Sequence, residues 1–198
     1  MNNGEINKNG FTVIEVVLVL AIAGLIFILV FAALPALQRS QRDNDRRDAM
    51  MSFVNRVKQF QTNNRGSLPG SKSTYPLTVD VDSSGVASSG EGTGSTTWAS
   101  FYNDYLGAQF LDPDGSNYKL YVTQCYSDKA SEGESCSYSD IQTELSAAKD
   151  GDFPYRTYSL LVVTKAKCNG SDIVASNNPR NLAVTYRLEG AGTFCESS

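Results

Sequence analysis

The sequence predicts an α+β fold: a long N-terminal α-helix, transmembrane in its first half and amphipathic in its second, packed on a small antiparallel β-sheet. Three observations carry the prediction. Positions 11–34 form an apolar run whose strongly polar members are Thr12 and Glu15, long enough to cross a hydrocarbon layer about 30 Å thick. Met50, Phe53, Val54, Val57 and Phe60 then recur at helical spacing, an apolar stripe that can lie on a folded body. Further on, β-forming residues gather at 118–123, 158–164 and 182–188 with turn-rich sequence between them.

Composition sorts the function classes before any motif does. Positions 11–37 hold one charged side chain, Glu15, whereas the rest is rich in Ser, Asn, Gly, Asp and Tyr, so one end suits lipid and the other water. From Arg65 onward ten Lys and Arg face sixteen Asp and Glu, a balance of −6, which disfavours a phosphate-binding surface and nucleic-acid binding by the soluble part. The chain has no histidine, so the commonest general base and the commonest metal ligand are both missing. The Ser-rich stretches offer no basic partner to activate a nucleophile; neither enzyme chemistry nor a cofactor is expected. Cys125, Cys136, Cys168 and Cys195 all lie beyond the apolar run, and none forms C-x-x-C. An even number in a domain attached to a membrane-directed segment reads as two disulfides made outside the cytosol, with buried free thiols as the alternative.

A secretory signal would begin with a basic stretch and end in a small-residue cleavage site after a short apolar core. Here 1–10 is polar, with Glu5 and Lys8 its charges, and no A-x-A follows the core. The pattern fits a cut before the apolar run rather than after it. Gly10-Phe11-Thr12-Val13-Ile14-Glu15, continued by Val16-Val17-Leu18-Val19-Leu20-Ala21-Ile22, resembles the class III signal of type IV pilins and pseudopilins. The likeness combines a short polar leader, Gly before Phe, Glu four residues on and an uninterrupted apolar helix, and covers about the first quarter of the chain. It implies a type IV pilin-like fold and cleavage after Gly10 by prepilin peptidase. It also implies N-methylation of Phe11 as the mature terminus, Glu15 as the fifth mature residue, and polymerisation with copies of itself by a pilus assembly machinery.

The chemistry of Glu15 stands apart from the family. A carboxylate inside a bilayer costs roughly 3 kcal/mol on insertion scales, so such residues tend to have a partner and a purpose. After cleavage a positive amino group would stand at Phe11, four residues away on the same helical face. Glu15 can pair with that ammonium within one subunit, or with a neighbour's in a polymer, where burying both charges rewards docking in register. The alternative is that Glu15 sits near a helix N-terminus, whose dipole tolerates an acid, and snorkels to the interface. The surrounding motif favours assembly.

Pro35 falls where the helix would otherwise continue. It removes a backbone hydrogen bond and crowds the preceding turn, so a kink or short unwound segment is expected, with a simple end to the span as the alternative; in pilins the helix-breaking proline lies slightly earlier. Residues 38–48 follow as a solvated helical face, with Arg39 and Asp43, Arg42 and Asp45, and Asp43 and Arg47 at spacings that support a helix. Asn63, Asn64 and Gly66, with Pro69 beyond, supply the stop, so the helix is expected from Phe11 to Asn64, about 80 Å long. The positive-inside rule would put the four arginines after the span in the cytoplasm, whereas paired cysteines need an oxidising compartment. The cysteines and the leader decide for 1–10 inside and the domain outside.

The expected divisions are a leader at 1–10, a transmembrane and assembly helix at 11–37, an amphipathic helix at 38–65 and a globular domain at 66–198. Residues 66–97 are dominated by Ser, Gly and Thr with one short strand at 77–81, a connection long enough to be functional surface or disorder; the pilin resemblance implies the filament exterior. Residues 98–106 read as a short helix capped by Thr96 or Thr97, with Trp98, Phe101, Tyr102 and Tyr105 toward the core and Gly107 as the stop. Leu111-Asp112-Pro113-Asp114-Gly115 is a turn. A calcium site on Asp112 and Asp114, with Ser116 and Asn117, is the sharper alternative, but the twelve-residue loop with its terminal acid is absent and a plain turn is expected. The cysteines fall just beyond strand ends. Of the three connectivities that four cysteines allow, Cys125 with Cys136 and Cys168 with Cys195 is favoured, stapling the C-terminal region. Residues 112–118 and 186–192 also resemble pilin domains loosely, and Asn169-Gly170-Ser171 matches a glycosylation sequon, a match frequent by chance.

The expected function is a structural subunit of a type IV pilus, resident in the cytoplasmic membrane as a precursor and then in an extracellular surface filament for attachment or motility. The alternatives are a minor pilin or pseudopilin of a secretion or DNA-uptake system, and a monomeric membrane-anchored binding protein.

Overall fold

The computed structural model describes residues 10, 12–70, 73, 75–91, 94–125, 136, 159–190 and 192–198. The chain divides into two units, Met1–Gln41 and Arg42–Ser198. Helix α1, Val13–Asn63, supplies the regular structure of the first and one layer of the second.

In the first unit the helix opens at Thr12, whose carbonyl accepts the Glu15 and Val16 N–H groups at 3.1 and 3.4 Å. Val and Ile are abundant here and slightly lower helix propensity; in a bilayer that matters less than closing every backbone hydrogen bond within the segment. The apolar side chains stand open from Val13, 82% exposed, to Leu37, 57% exposed. The most apolar stretch has a mean hydropathy of 3.2 with none of it buried. One helix is thus long and apolar enough to be compatible with membrane anchoring. The helix runs through Pro35, which corrects the expectation of an unwound segment there. A proline withholds one N–H, and so leaves one carbonyl, that of Phe31, without its partner, while the turns on either side keep theirs.

The second unit lays the remainder of α1 on a sheet. Its strands are β1 (Leu77–Val81), β2 (Ala87–Ser89), β3 (Lys119–Gln124), β4 (Ser159–Thr164), β5 (Ala166–Asn169), β6 (Asp172–Ala175), β7 (Leu182–Arg187) and β8 (Thr193–Ser197). Among the described residues the main sheet runs in the order β2-β1-β3-β4-β7-β8, and β5 and β6 form a separate hairpin. This is a mixed sheet rather than the small antiparallel one expected. Strands β3 and β4 run parallel, from Lys119 opposite Ser159 to Gln124 opposite Thr164, and the other named pairs are antiparallel. A parallel pair needs a long crossover, and the 34 residues between these strands, 125–158, lie mostly outside the described residues. Residues 66–97 are also more than a connection, because they contain β1, at the expected 77–81, and β2, which pair with each other and through β1 with β3.

The side-chain period of two explains the two cores. Leu120, Val122, Leu160, Val162, Leu182 and Val184 face Met50, Phe53, Val54, Val57 and Phe60 of α1 in one buried cluster. Leu161, Val163 and Ala183 point the other way and are buried with Ala166, Ala175 and three of the cysteines. Strands β4 and β7 are therefore covered on both faces, which is why 160–163 reads as a continuous apolar run. Helix α2, Trp98–Phe101, continues as a π-helical turn over Tyr102–Leu106. Thr97 Oγ1 accepts the Ser100 N–H at 3.1 Å, as an N-cap should. Phe101 sits at the hub of the aromatic packing, edge-on to Phe53, Phe60 and Trp98 at centroid distances of 5.8, 5.7 and 5.8 Å.

Candidate functional site

The residues marked by the sequence lie at the start of α1. Gly10 is exposed, Glu15 is exposed in the first helical turn, and Phe11 lies outside the described residues. Glu15 has no side-chain hydrogen bond or ion pair among the described residues. It is the one acid in a solvent-open apolar segment, and sits where the unpaired N–H groups of a helix end favour negative charge. Such a carboxylate is available to a cation supplied from elsewhere.

A second constellation, within the Arg42–Ser198 unit, was not legible as a site. Arg46, 1% exposed, donates from Nε and Nη2 to the two oxygens of Asp112, both at 2.8 Å. Its Nη1 meets Glu189 Oε1 at 2.7 Å and Asp43 Oδ1 at 3.3 Å. Arg42 makes its own fork to Glu189, at 3.0 and 2.7 Å. Asp43 in turn accepts the backbone N–H groups of Glu189 and Gly190, each at 2.9 Å, and the Tyr186 hydroxyl donates to Asp112 at 3.0 Å. Bidentate arginine–carboxylate pairs are the strong, geometrically demanding kind. The cluster clamps α1 to the turn before β3 and to the turn between β7 and β8.

Electrostatics follow from that wiring. The hydrogen bonds to Asp112 hold the Arg46 guanidinium far above its ordinary value, against the pull of burial. Burial pushes the Asp112 carboxyl up, but the bonds from Arg46, the Asp114 N–H and Tyr186 outweigh it and leave the group below the usual carboxylate range. Glu189 is lowered from 4.5 to about 2, chiefly by its hydrogen bond from Arg42. Burial raises the Tyr186 hydroxyl, and the Asp112 charge adds to this. These groups are each engaged with another; the arrangement holds charge in place rather than passing protons.

One expectation needs correction here, and one alternative falls. Arg42, Asp43 and Arg46 are not a solvated helical face: Asp43 and Arg46 are buried, and Arg42 reaches across to Glu189. A signal for this was present, because Asp43, Arg46, Met50, Phe53, Val57 and Phe60 follow one another at spacings of three and four, which puts the two charged residues on the buried stripe. The calcium alternative at Asp112 and Asp114 also falls. Both Asp112 oxygens are taken by a guanidinium that would repel a second cation, and Asp114 accepts the Ser116 N–H at 2.8 Å within the turn.

The cysteines pair as Cys125 with Cys136 and Cys168 with Cys195, the pairing favoured from the sequence. Both bridges lie in the second core, where the first anchors position 136 to the end of β3 and the second ties β5 to β8. Comparison of the chain with protein-family models, with curated proteins and with solved structures finds no match.

Proposed function

We propose that this chain is the precursor of a type IV pilin-like filament subunit, cut after Gly10 and polymerised through the first half of α1. One observation carries the reading: a polar stretch ending in Gly10 stands directly before Phe11 and an exposed apolar first half of α1 whose one charge is Glu15. Lipid satisfies the apolar side chains but not the carboxylate, which costs roughly 3 kcal/mol at membrane depth. A bundle of like helices satisfies both, because each cut chain brings a new ammonium four residues from its own Glu15 and within reach of a neighbour's. The free energy of pairing is gained only in the correct axial register, so one acid sets both the driving force and the stagger.

In this scheme the leader keeps the helix in the membrane until cleavage creates the ammonium. The Arg42–Ser198 unit is the part left in water, its helix held to the sheet by the Arg46 cluster and its C-terminal region stapled by the two disulfides. Mass spectrometry of the exported chain tests the first step, and the expected N-terminus is a methylated Phe11. Glu15→Gln tests the second: the variant should still be cut yet vanish from the sheared surface fraction and accumulate in membranes. An exported chain that keeps Met1, or a Glu15→Gln chain that still reaches sheared fibres, would overturn the proposal in favour of a monomeric membrane-anchored binding protein. Trace amounts in fibres built mainly of another subunit would assign the chain to the minor pilin or pseudopilin class.

A further inference from the structure

The second unit is acidic over most of its length, yet one end of it gathers cations that no Asp or Glu side chain among the described residues pairs with. Lys58 comes from the end of α1, Arg65 from the turn that follows it, Lys165 from the turn between β4 and β5, and Arg180 from the loop before β7; none has an ion-pair partner among the described residues. They border two concavities that share Arg65, Gly66 and Arg180. One is a cleft of about 260 Å³, completed by Lys165, Gln124, Thr164 and Tyr75; the other is a more open depression of about 510 Å³ that adds Lys58, Gln61, Asn181 and Ser198, the last with its main-chain carboxylate. No Asp or Glu side chain lines either.

The backbone holds these cations in place. Among the described residues two non-glycine positions adopt the left-handed region, Arg65 at φ 56° and Lys165 at φ 55°. Glycine would take that conformation without steric penalty, and both positions instead carry a cation into the same cleft. Gly66, at φ 81°, lies against the Arg180 guanidinium so closely that an added Cβ would come within 2.8 Å of its Cζ. The backbone of the 180–181 loop is fixed as well: the Arg180 carbonyl accepts from Gln61 Nε2 at 2.7 Å, and the Asn181 carbonyl accepts the Lys165 N–H at 2.8 Å. A helix C-terminus attracts cations by its dipole, which accounts for Lys58 and Arg65 but not for Lys165 and Arg180, brought in by other loops.

We propose that this cleft binds an acidic saccharide, with a carboxylate seated among Arg65, Lys165 and Arg180 and the sugar hydroxyls met by the Gln124 amide; Thr164, buried and donating to the Thr123 carbonyl at 3.2 Å, forms the floor. The chemistry favours a saccharide over single-stranded nucleic acid, whose bases need open aromatic faces on which to stack. The one aromatic here, Tyr75, is half-buried and its hydroxyl is committed to the Gly70 carbonyl at 2.9 Å. An amide at Gln124 beside cations carried on held backbone suits a hydroxyl-rich anion. The proposal stands whether or not the chain polymerises.

The test is calorimetric titration of the full chain in detergent micelles at low salt with three probes: a galacturonic acid tetramer, its neutral galactose counterpart and an oligo-dT strand. The uronate should bind and the neutral sugar should not. Lys165→Gln and Arg180→Gln should each weaken binding about tenfold, the loss of one charge-assisted contact. Arg180→Lys should keep most of it, and Arg56→Gln, on α1 outside both concavities, should change nothing. Fluorescence of Trp98 checks folding, and Arg65→Gln, at a side chain with no hydrogen bond or ion pair among the described residues, decides the matter should either other variant misfold. No uronate binding, equal binding of the neutral sugar, tighter binding of oligo-dT, or indifference to the Gln variants would each overturn the assignment.

Discussion

Replacing Asp112 with alanine removes from Arg46 both oxygens of its 2.8 Å fork, and from the Tyr186 hydroxyl and the Asp114 N–H their acceptors. The guanidinium, 1% exposed, stays where water cannot replace what was lost. Removing one partner of a buried ion pair typically costs about 3–5 kcal/mol. Glu189 at 2.7 Å and Asp43 at 3.3 Å still hold Arg46, which places the expected loss at the lower end, about 3 kcal/mol. For a domain of this size each kcal/mol shifts the midpoint by about 2–4 °C, so Tm should fall by about 6–12 °C. Trp98 is the only tryptophan and is fully buried in the second unit, so its fluorescence follows the unfolding of that unit in the intact chain. The companion variant, Arg46→Met with Asp112→Leu, discards both charges while Arg42 keeps Glu189 and Asp43 keeps its two backbone donors. Apolar replacement of a whole buried pair is often close to neutral, so this variant should recover most of the lost stability. A fall of less than about 2 °C for Asp112→Ala, or a companion less stable than the single variant, would refute the reasoning.

Three further outcomes follow from the same contacts. The carboxyls of Asp112 and Glu189 are both lowered in the folded chain, Glu189 from 4.5 to about 2, so at acid pH the unfolded state binds more protons. Their contribution is complete above the unfolded values and disappears as pH falls through the folded ones. The Trp98 midpoint should accordingly drop between about pH 4.5 and pH 2, more steeply in the wild type than in Asp112→Ala; equal slopes would count against the cluster. Of the two bridges, Cys168 with Cys195 closes the longer loop, 27 residues against 11. By loop entropy, paired Cys→Ser replacement should cost about 3.5 kcal/mol there and about 2.8 kcal/mol at Cys125 and Cys136, an order that urea midpoints can check. Glu15→Gln should leave the Trp98 transition where it is, because Glu15 belongs to the other unit, and a large shift would tie that residue to the head's stability rather than to assembly.

Much of the architecture was readable locally. The start and end of α1, expected at Phe11 and Asn64, fall at Val13 and Asn63. Of the two caps expected, Thr96 or Thr97, the structure uses Thr97, and β3, β4 and β7 lie within a residue of the segments named for them. In each case the signal is a period or a cap, set by residues within a turn or two of one another. Strands β2, β5, β6 and β8 escaped notice because they are short, 3 to 5 residues, too few to show a clear alternation. Such stretches become strands only because a neighbour offers hydrogen bonds. Strand direction escaped for a related reason, since composition carries no sign of whether 119–124 and 159–164 run the same way.

The charged cluster marks the boundary most clearly. That Arg42, Asp43 and Arg46 lie on a helix, and that Asp43 and Arg46 share the face of Met50, Phe53 and Phe60, is a consequence of spacing and belongs to the sequence alone. So do the membrane-length run and the isolation of Glu15 within it. Whether those three residues would face water or an interior depended on partners 66 and 147 positions away, Asp112 and Glu189. Only the packing of the helix on the sheet brings these together, because a buried charge is tolerated only where the fold supplies its counter-charge at hydrogen-bonding distance.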